Sequence, residues 1–205
     1  MKIPPKINIC SFLYSSFHCT QEICTCQVSP CQPWKNMVYL FLGGCHMRYY
    51  YDYSFPIGNL TIEEDGHGIC GIYFGTKMLE GEKKNTELIR EAALQLSQYF
   101  DGRRKKFDLK LSYHGTEFQI KVWKALEKIP YGETCTYKDI AESVGIPKGC
   151  RAVGMANNRN PIVIVVPCHR VIGMNGSLTG YAGGLEMKEY LLDLEKSNQK
   201  LKERY

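Results

Sequence analysis

"TYKDIAESVGIPKGCRAVGMANNRNP" spans residues 136–161, and its reading decides the fold. One short helix is predicted from about Lys138 to Gly145, and a second from Pro147, because proline is favoured at the first helical position. Ala141 and Gly145 leave room for a tight corner, so the pair reads as a helix-turn-helix. The second helix carries Gly149, Cys150, Ala152, Gly154 and Ala156, with Arg151 projecting among them. A helix built from such residues gives up intrinsic stability, most of all at glycine. Something must therefore approach its backbone closely, either another helix or an external ligand.

Downstream, "PIVIVVP" (161–167) is predicted to be a buried strand and "CHRVIG" (168–173) the turn that leaves it. A cysteine attacks as its thiolate, and an unperturbed thiol with a pKa of about 8.5 is only slightly ionised at neutral pH. Cys168 therefore needs a base, and the base needs an orienting acid. His169 is the base by type. Adjacent side chains on a strand point to opposite faces, so a turn and a bridging water are expected between the two. "GLEMKEYLLDLE" (184–195) supplies the acid. Glu195 follows Leu192 by three residues and Leu191 by four, which places it on their apolar stripe. A carboxylate there needs a partner, and His169 is the candidate.

Upstream, "TEFQIKVWKALEKIP" (116–130) is predicted to be a helix opened by a Thr116/Gln119 capping box and ended by Pro130. Phe118, Val122, Leu126 and Ile129 form its stripe. "GRRKKFDLKL" (102–111) is a connector, and its charge run Arg103–Lys106 reads as a solvated face. Before it, "RYYYDYSF" (48–55), "LTIEED" (60–65) and "ICGIYFG" (69–75) read as three strands. "PIGN" and "GHG" punctuate them into an antiparallel meander. "TELIREAALQLSQYFDG" (86–102) then places Leu88, Ile89, Ala92, Ala93, Leu96 and Phe100 on one helical stripe closed by Gly102.

The expected fold class is α+β: a small antiparallel-sheet and helix domain over 47–107, then a helical winged helix-turn-helix domain over 108–197 that carries the chemistry. Residues 198–205 are left as a tail. Residues 1–46 show no sustained period, hold six of the ten cysteines, and read as a loosely ordered leader before Met47. "CTQEICTCQVSPC" (19–31) lacks the paired C-x2-C spacing of a zinc site, so no metal and no cofactor is expected. The chain has 205 residues, 44% of them apolar and 23% charged, which places it among folded globular proteins. A net charge of +5 is compatible with a polyanion partner without arguing for one. No apolar run approaches the roughly 20 residues of a membrane span. "INICSFLYSSFHC" (7–19) is too interrupted for a secretory signal. Cys70, Cys135, Cys150 and Cys168 are scattered like isolated thiols in a reducing cytoplasm.

"RAVGMANNRNP", "NPIVIVVPCHRVIG" and "GYAGGLEMKEYLLDLE" together closely resemble the O6-alkylguanine-DNA alkyltransferases, also called methylated-DNA–protein-cysteine methyltransferases. The resemblance is dense from Tyr113 to Glu195 and weaker from Met47, and residues 1–46 have no counterpart. It implies a monomeric, single-turnover repair protein that binds double-stranded DNA through the minor groove. Cys168 would accept the alkyl group from O6-alkylguanine, with O4-alkylthymine a second possible substrate. Glu195, His169 and a water would activate the thiol. Tyr137 resembles the residue that donates to the guanine ring and crowds the phosphate, and Arg151 the residue that fills the gap left by the rotated nucleotide. Asn160 resembles the hinge between recognition helix and active-site turn.

The same resemblance implies a DNA-facing surface of Lys148, Cys150 and Ala152 around Arg151. It also implies a substrate pocket of Val163, Pro167, Arg170, Val171, Tyr181 and Ala182. The carbonyls of Cys168 and Val171 would read the guanine amino group, and the Ala182 amide would meet O6. Ala182 stands where some relatives carry serine, and Val163 where some carry proline. Two other readings stay open: an alkyltransferase-like lesion sensor, which would lack the acceptor Cys168, and a winged-helix regulator, which leaves Glu195 unexplained. A fused regulator with a phosphotriester-repairing leader fits the leader's spacing poorly.

Overall fold

A computed structural model describes residues 47–200. The expectations for the leader (1–46) and for the last residues of the tail lie outside the described residues.

Aromatic and β-branched residues with turn signals at both ends favour pleated, half-buried strands, and three form where the pattern predicts them. β1 (Tyr49–Phe55) turns through Pro56 and Ile57 into β2 (Gly58–Glu64), antiparallel from Phe55↔Gly58 to Tyr49↔Glu64. Gly58 takes φ +97°, which a residue with a side chain rarely adopts. β3 (Ile69–Phe74) pairs antiparallel with β2. A fourth strand, β4 (Glu82–Lys83), joins parallel to β1 and gives the order β3-β2-β1-β4. Its two residues carry no periodicity, so the meander expectation misses it.

α1 (Glu87–Phe100) starts at Thr86, whose Oγ1 accepts from the Ile89 amide, and Gly102 follows it at φ +73°. Ile89, Ala92, Ala93, Leu96 and Phe100 face the sheet as expected, and Tyr99 and Gln95 are buried with them. The connector mixes exposed and half-buried residues along its whole length, and its second half is pinned to α1 and β3. Gln95 exchanges two 2.8 Å bonds with the backbone of Asp108. Ile69 N–H donates to Lys110 O, and Ser112 N–H to Ile69 O.

Asp65 clasps this junction. Its Oδ1 accepts from the amides of His67 and Gly68, and its Oδ2 from Ser112 Oγ at 2.6 Å and His114 Nε2 at 2.7 Å. Burial alone would raise the carboxyl's pKa, but these donors hold it well below the usual carboxylate range. A depressed folded-state pKa stabilises the fold above the unfolded value and loses that contribution as pH falls. Asp65→Ala is expected to cost about 2 kcal/mol at neutral pH and to flatten the loss of stability between about pH 5 and pH 2, as read from urea titrations across that range.

α2 (Glu117–Leu126) has the Thr116/Gln119 capping box. It ends at Leu126, four residues before Pro130, because Lys128 and Ile129 N–H groups bond the Ala125 and Leu126 carbonyls in a tightened turn. α3 (Tyr137–Ser143) has its own box, Thr136 with Asp139. α4 (Cys150–Asn158) begins later than expected. Pro147 and Lys148 lie in a turn closed by Gly149 N–H on Ile146 O at 2.7 Å, so Gly149 is the cap. Trp123, 2% exposed, donates Nε1–H to Ala156 O at 2.8 Å and locks α2 against α4. β5 (Cys135–Thr136) and β6 (Val171–Ile172) form a small parallel pair. α5 (Leu185–Lys200) is the last of the described elements and runs past the expected boundary at 197, with Asn198 and Gln199 bonded to Tyr131.

Candidate active site

The residues expected as a strand, 161–167, form a folded-back turn instead. Pro161 O accepts from Ile72 N–H at 2.8 Å and Val163 N–H donates back to Ile72 O, so the segment touches β3 only at its start. Ile164 then takes φ +72°, and Val166 N–H reaches Ile162 O at 3.0 Å. A β-branched residue in the left-handed region is strained unless its surroundings impose it. Asn160 imposes it here: Oδ1 accepts from Ile162 N–H at 3.0 Å and Nδ2 donates to Val166 O at 2.8 Å. The same Nδ2 lies 3.1 Å from Cys168 Sγ. Asn160 is thus the internal brace of the active-site turn. Cys168–Arg170 follow as one turn of 3-10 helix.

That turn resolves the adjacency of Cys168 and His169. His169 is fully buried, and its Nε2 lies 2.9 Å from Glu195 Oε1. Glu195, also 0% exposed, collects donors on both oxygens. Oε1 accepts from Tyr99 O–H at 2.7 Å and Arg170 Nη2 at 2.8 Å, and Oε2 from Gly132 N–H at 2.8 Å and Arg170 Nε at 3.0 Å. Burial would raise this carboxyl, but His169 and Arg170 bring it down to about 2. An ionised carboxylate only accepts, so the proton in the contact belongs to His169 Nε2. The Nδ1 lone pair is left with no hydrogen-bond partner in the described structure. Burial pushes the imidazole's pKa down, against the pull of Glu195. A neutral base beside a cysteine is the result.

Cys168 is 2% exposed, and burial drives its thiol up to about 11, against the Asn160 amide and the charge of Lys188. The resting sulfur is therefore a thiol. Lys188, on α5 and buried, donates Nζ–H to Val171 O at 2.6 Å and Thr179 O at 3.0 Å. One lone pair of the Val171 carbonyl, expected to read the guanine, is thereby occupied. Asn157 Nδ2 lies 3.4 Å from the other expected reader, Cys168 O.

The expected pocket residues divide. Val163 and Tyr181 are buried, the Tyr181 ring meeting Phe74 at 5.7 Å with its hydroxyl unpartnered, and Ala182 is exposed. Arg170 departs from a lining role. Its guanidinium is spent on Glu195 and on Ile129 O at 2.6 Å, so it supports the acid from beneath. With Pro167 it also borders a cavity of about 380 Å³ against Lys105, Phe107 and Tyr131.

On the helix-turn-helix, Arg151, Met155 and Asn158 are exposed on α4 and Arg159 is exposed at its C-cap, while Val153, Ala156 and Asn157 are buried. Lys148 is exposed, and Cys150 and Ala152 are half-buried. Tyr137, the first residue of α3, places its hydroxyl 3.3 Å from Thr179 O and lies against Gly154. A Cβ on Gly154 would meet that ring at 3.8 Å, so the small residue leaves the tyrosine space without strict necessity.

Known proteins match this chain in sequence and fold. The ribonuclease-like domain of 6-O-methylguanine DNA methyltransferase matches residues 48–113 and its DNA binding domain residues 117–197. A methylated-DNA–protein-cysteine methyltransferase of Methanosarcina acetivorans is 53% identical, covering 73% of this chain and 99% of the relative. The chain belongs to the 6-O-methylguanine DNA methyltransferase family. Another member of the family, the constitutive enzyme of Bacillus subtilis, is 48% identical over 76% of this chain and 100% of its own. The crystal structure of Mycobacterium tuberculosis OGT in complex with DNA is 45% identical and superposes with a TM-score of 0.69 over 73% of this chain and 94% of that one. A 24% identical archaeal structure, from Pyrococcus kodakaraensis, shares the fold at a TM-score of 0.52. The alkyltransferase fold expected from the sequence is the fold observed.

Proposed function

We propose that this protein repairs alkylated double-stranded DNA by moving the alkyl group from guanine O6 to Cys168 Sγ. The observation that carries this reading is the buried His169–Glu195 contact, which leaves a neutral imidazole nitrogen without a partner in the residue that follows a buried cysteine. His169 Nδ1 takes the thiol proton, through a water, as sulfur attacks the alkyl carbon. The C–O6 bond breaks, its electron pair passes into the purine, and the ring is protonated to guanine. Tyr137 is the proposed donor, and the proton held by the imidazolium returns to the phenol through solvent, so the thiol proton is in balance the one that guanine gains. Glu195 holds the imidazolium while it exists. The product is a thioether, whose C–S bond water does not hydrolyse, so each molecule acts once.

The target atom is inaccessible in a stacked duplex, and extruding the nucleotide costs a few kcal/mol. Arg151, exposed on α4, is the residue we assign to fill the gap through the minor groove. Lys148, Cys150 and Ala152 would border the contact, and Val163, Pro167, Val171, Tyr181 and Ala182 the base and its alkyl group. Binding is then dominated by phosphate contacts, weakly sequence-specific and salt-sensitive. We further propose that the chain acts as a monomer, with 47–107 a platform for the transferring domain 108–197. We assign it to a reducing compartment such as the cytoplasm, because the described Cys70, Cys135, Cys150 and Cys168 are all free. Among the described residues no helix is long and apolar enough to cross a membrane.

The test is a duplex carrying O6-methylguanine labelled in its methyl group. The label should move, one per protein molecule, to the peptide holding Cys168. Tight binding with the label left in DNA would replace this reading by lesion sensing. Arg151→Ala is expected to keep its reactivity toward a free alkylguanine base while losing about tenfold or more of its rate on duplex. Equal losses in the two assays would remove Arg151 from the extrusion step.

A further inference from the structure

The ring and the hydroxyl of Tyr99 serve different purposes. Its buried ring packs against Phe100, Phe107 and Tyr131, at centroid distances of 5.4, 5.5 and 5.8 Å. A phenylalanine would fill that space equally well. The hydroxyl makes one bond, 2.7 Å to Glu195 Oε1, across 96 residues of sequence. We propose that Tyr99 is a positioning residue for alkyl transfer, holding Glu195 so that its carboxylate faces Nε2–H of His169. This rests on the assignment of Cys168, His169 and Glu195 above.

The groups that face Glu195 come from three directions. Tyr99 arrives from α1, Gly132 N–H and the nearby Tyr131 from the α2–α3 loop, and His169 and Arg170 from the active-site turn. Lys188, on the same helix as Glu195, adds its charge at His169. Arg170 Nε reaches both carboxylate oxygens, at 3.2 and 3.0 Å, so its fork can follow a tilting carboxylate. Tyr99 and Gly132 each bind a single oxygen and resist that tilt. Burial, with Glu195 adding to it, pushes the phenol's pKa well above its ordinary value, so its O–H remains a donor wherever the protein is folded.

The hydroxyl also draws charge from the oxygen that His169 uses. Its removal concentrates that charge on the Nε2–H contact and makes the imidazole more basic. Because α1 belongs to the sheet half of the molecule, chemistry at Cys168 then depends on a side chain outside the DNA-binding half.

The experiment uses full-length Tyr99→Phe, with transfer from O6-methylguanine duplex followed across pH and the His169 imidazole titrated by 15N NMR. The variant should bind lesion-free duplex as before and transfer about tenfold more slowly at neutral pH. Its imidazole midpoint, and with it the acid limb of the transfer profile, should move upward by about half a unit to one unit. In a Glu195→Gln background the same substitution should move neither. A purely structural tyrosine would lower the melting temperature and leave both midpoints in place, and that result overturns the proposal. If wild-type label goes to a residue other than Cys168, the site assignment falls separately, and the imidazole titration still decides what Tyr99 does.

Discussion

Cys168→Ala is expected to abolish alkyl transfer while leaving a folded protein that still binds DNA. The loss should be total because no neighbouring atom can replace the sulfur. Asn160 Nδ2 is a donor, His169 Nδ1 is the base, and the Tyr181 phenol is held well above its ordinary pKa by burial. The fold should survive. Asn160 loses its contact with Sγ but keeps its bonds to Ile162 N–H and Val166 O, so the turn stays braced. Removing one buried sulfur costs about 1 to 2 kcal/mol, the scale of a small truncation in a packed site. Labelled methyl should remain in the duplex, the electrophoretic shift with lesion DNA should persist, and the melting temperature should fall by a few degrees. Label appearing on another residue at full stoichiometry would reassign the acceptor.

The helices α1 to α3 are legible because local rules and tertiary structure agree there. Thr116 and Thr136 cap their helices within three residues, and the apolar spacing of α1 and α2 matches the faces they bury. "PIVIVVP" was not legible. Seven consecutive residues of proline and β-branched aliphatics have the composition of a buried strand. What folds the run back is the Asn160 side chain and the positive φ of Ile164, and neither leaves a periodic trace. β4 escaped for a related reason: two residues paired to β1 through backbone bonds need no pattern of their own.

At the site, Glu195 could be found from its place on the stripe of Leu191 and Leu192, and its partner followed from the need to satisfy a buried carboxylate. The same reasoning reaches Lys188, three residues before Leu191 and four before Leu192, buried and bound to two carbonyls. Tyr99 lies three residues after Leu96 on the buried side of α1, where a phenol needs a partner. Only the folded chain says that the partner is Glu195. The resemblance places Arg170 in the pocket, yet its five N–H groups suit a carboxylate better than an alkyl chain, and the structure puts it on Glu195.

Glu195→Gln is expected to slow transfer by about a hundredfold or more and to destabilise the fold by about 3 kcal/mol. Shape is nearly conserved, so the effect comes from charge and from hydrogen-bond polarity. Every group around the carboxylate donates: Tyr99 O–H, Gly132 N–H, His169 Nε2–H and two nitrogens of Arg170. An amide must turn its own donor toward at least one of them. If the NH2 faces His169, the tautomer inverts and Nδ1 ceases to be the free base. If it faces Gly132 and Arg170, a buried guanidinium loses its counter-charge. In wild type the carboxyl lies at about 2 in the folded state, below its unfolded value. It therefore stabilises the protein above about pH 4.5, and that contribution is lost as pH falls toward 2. The glutamine variant should lack that part of the acid sensitivity, so the two stability curves should converge at low pH. Without Glu195 to favour imidazolium, the rate that remains should also rise more steeply with pH, as thiolate comes to depend on solvent hydroxide rather than on His169. Parallel stability curves, or an unchanged pH–rate profile, would mean that Glu195 only fills space.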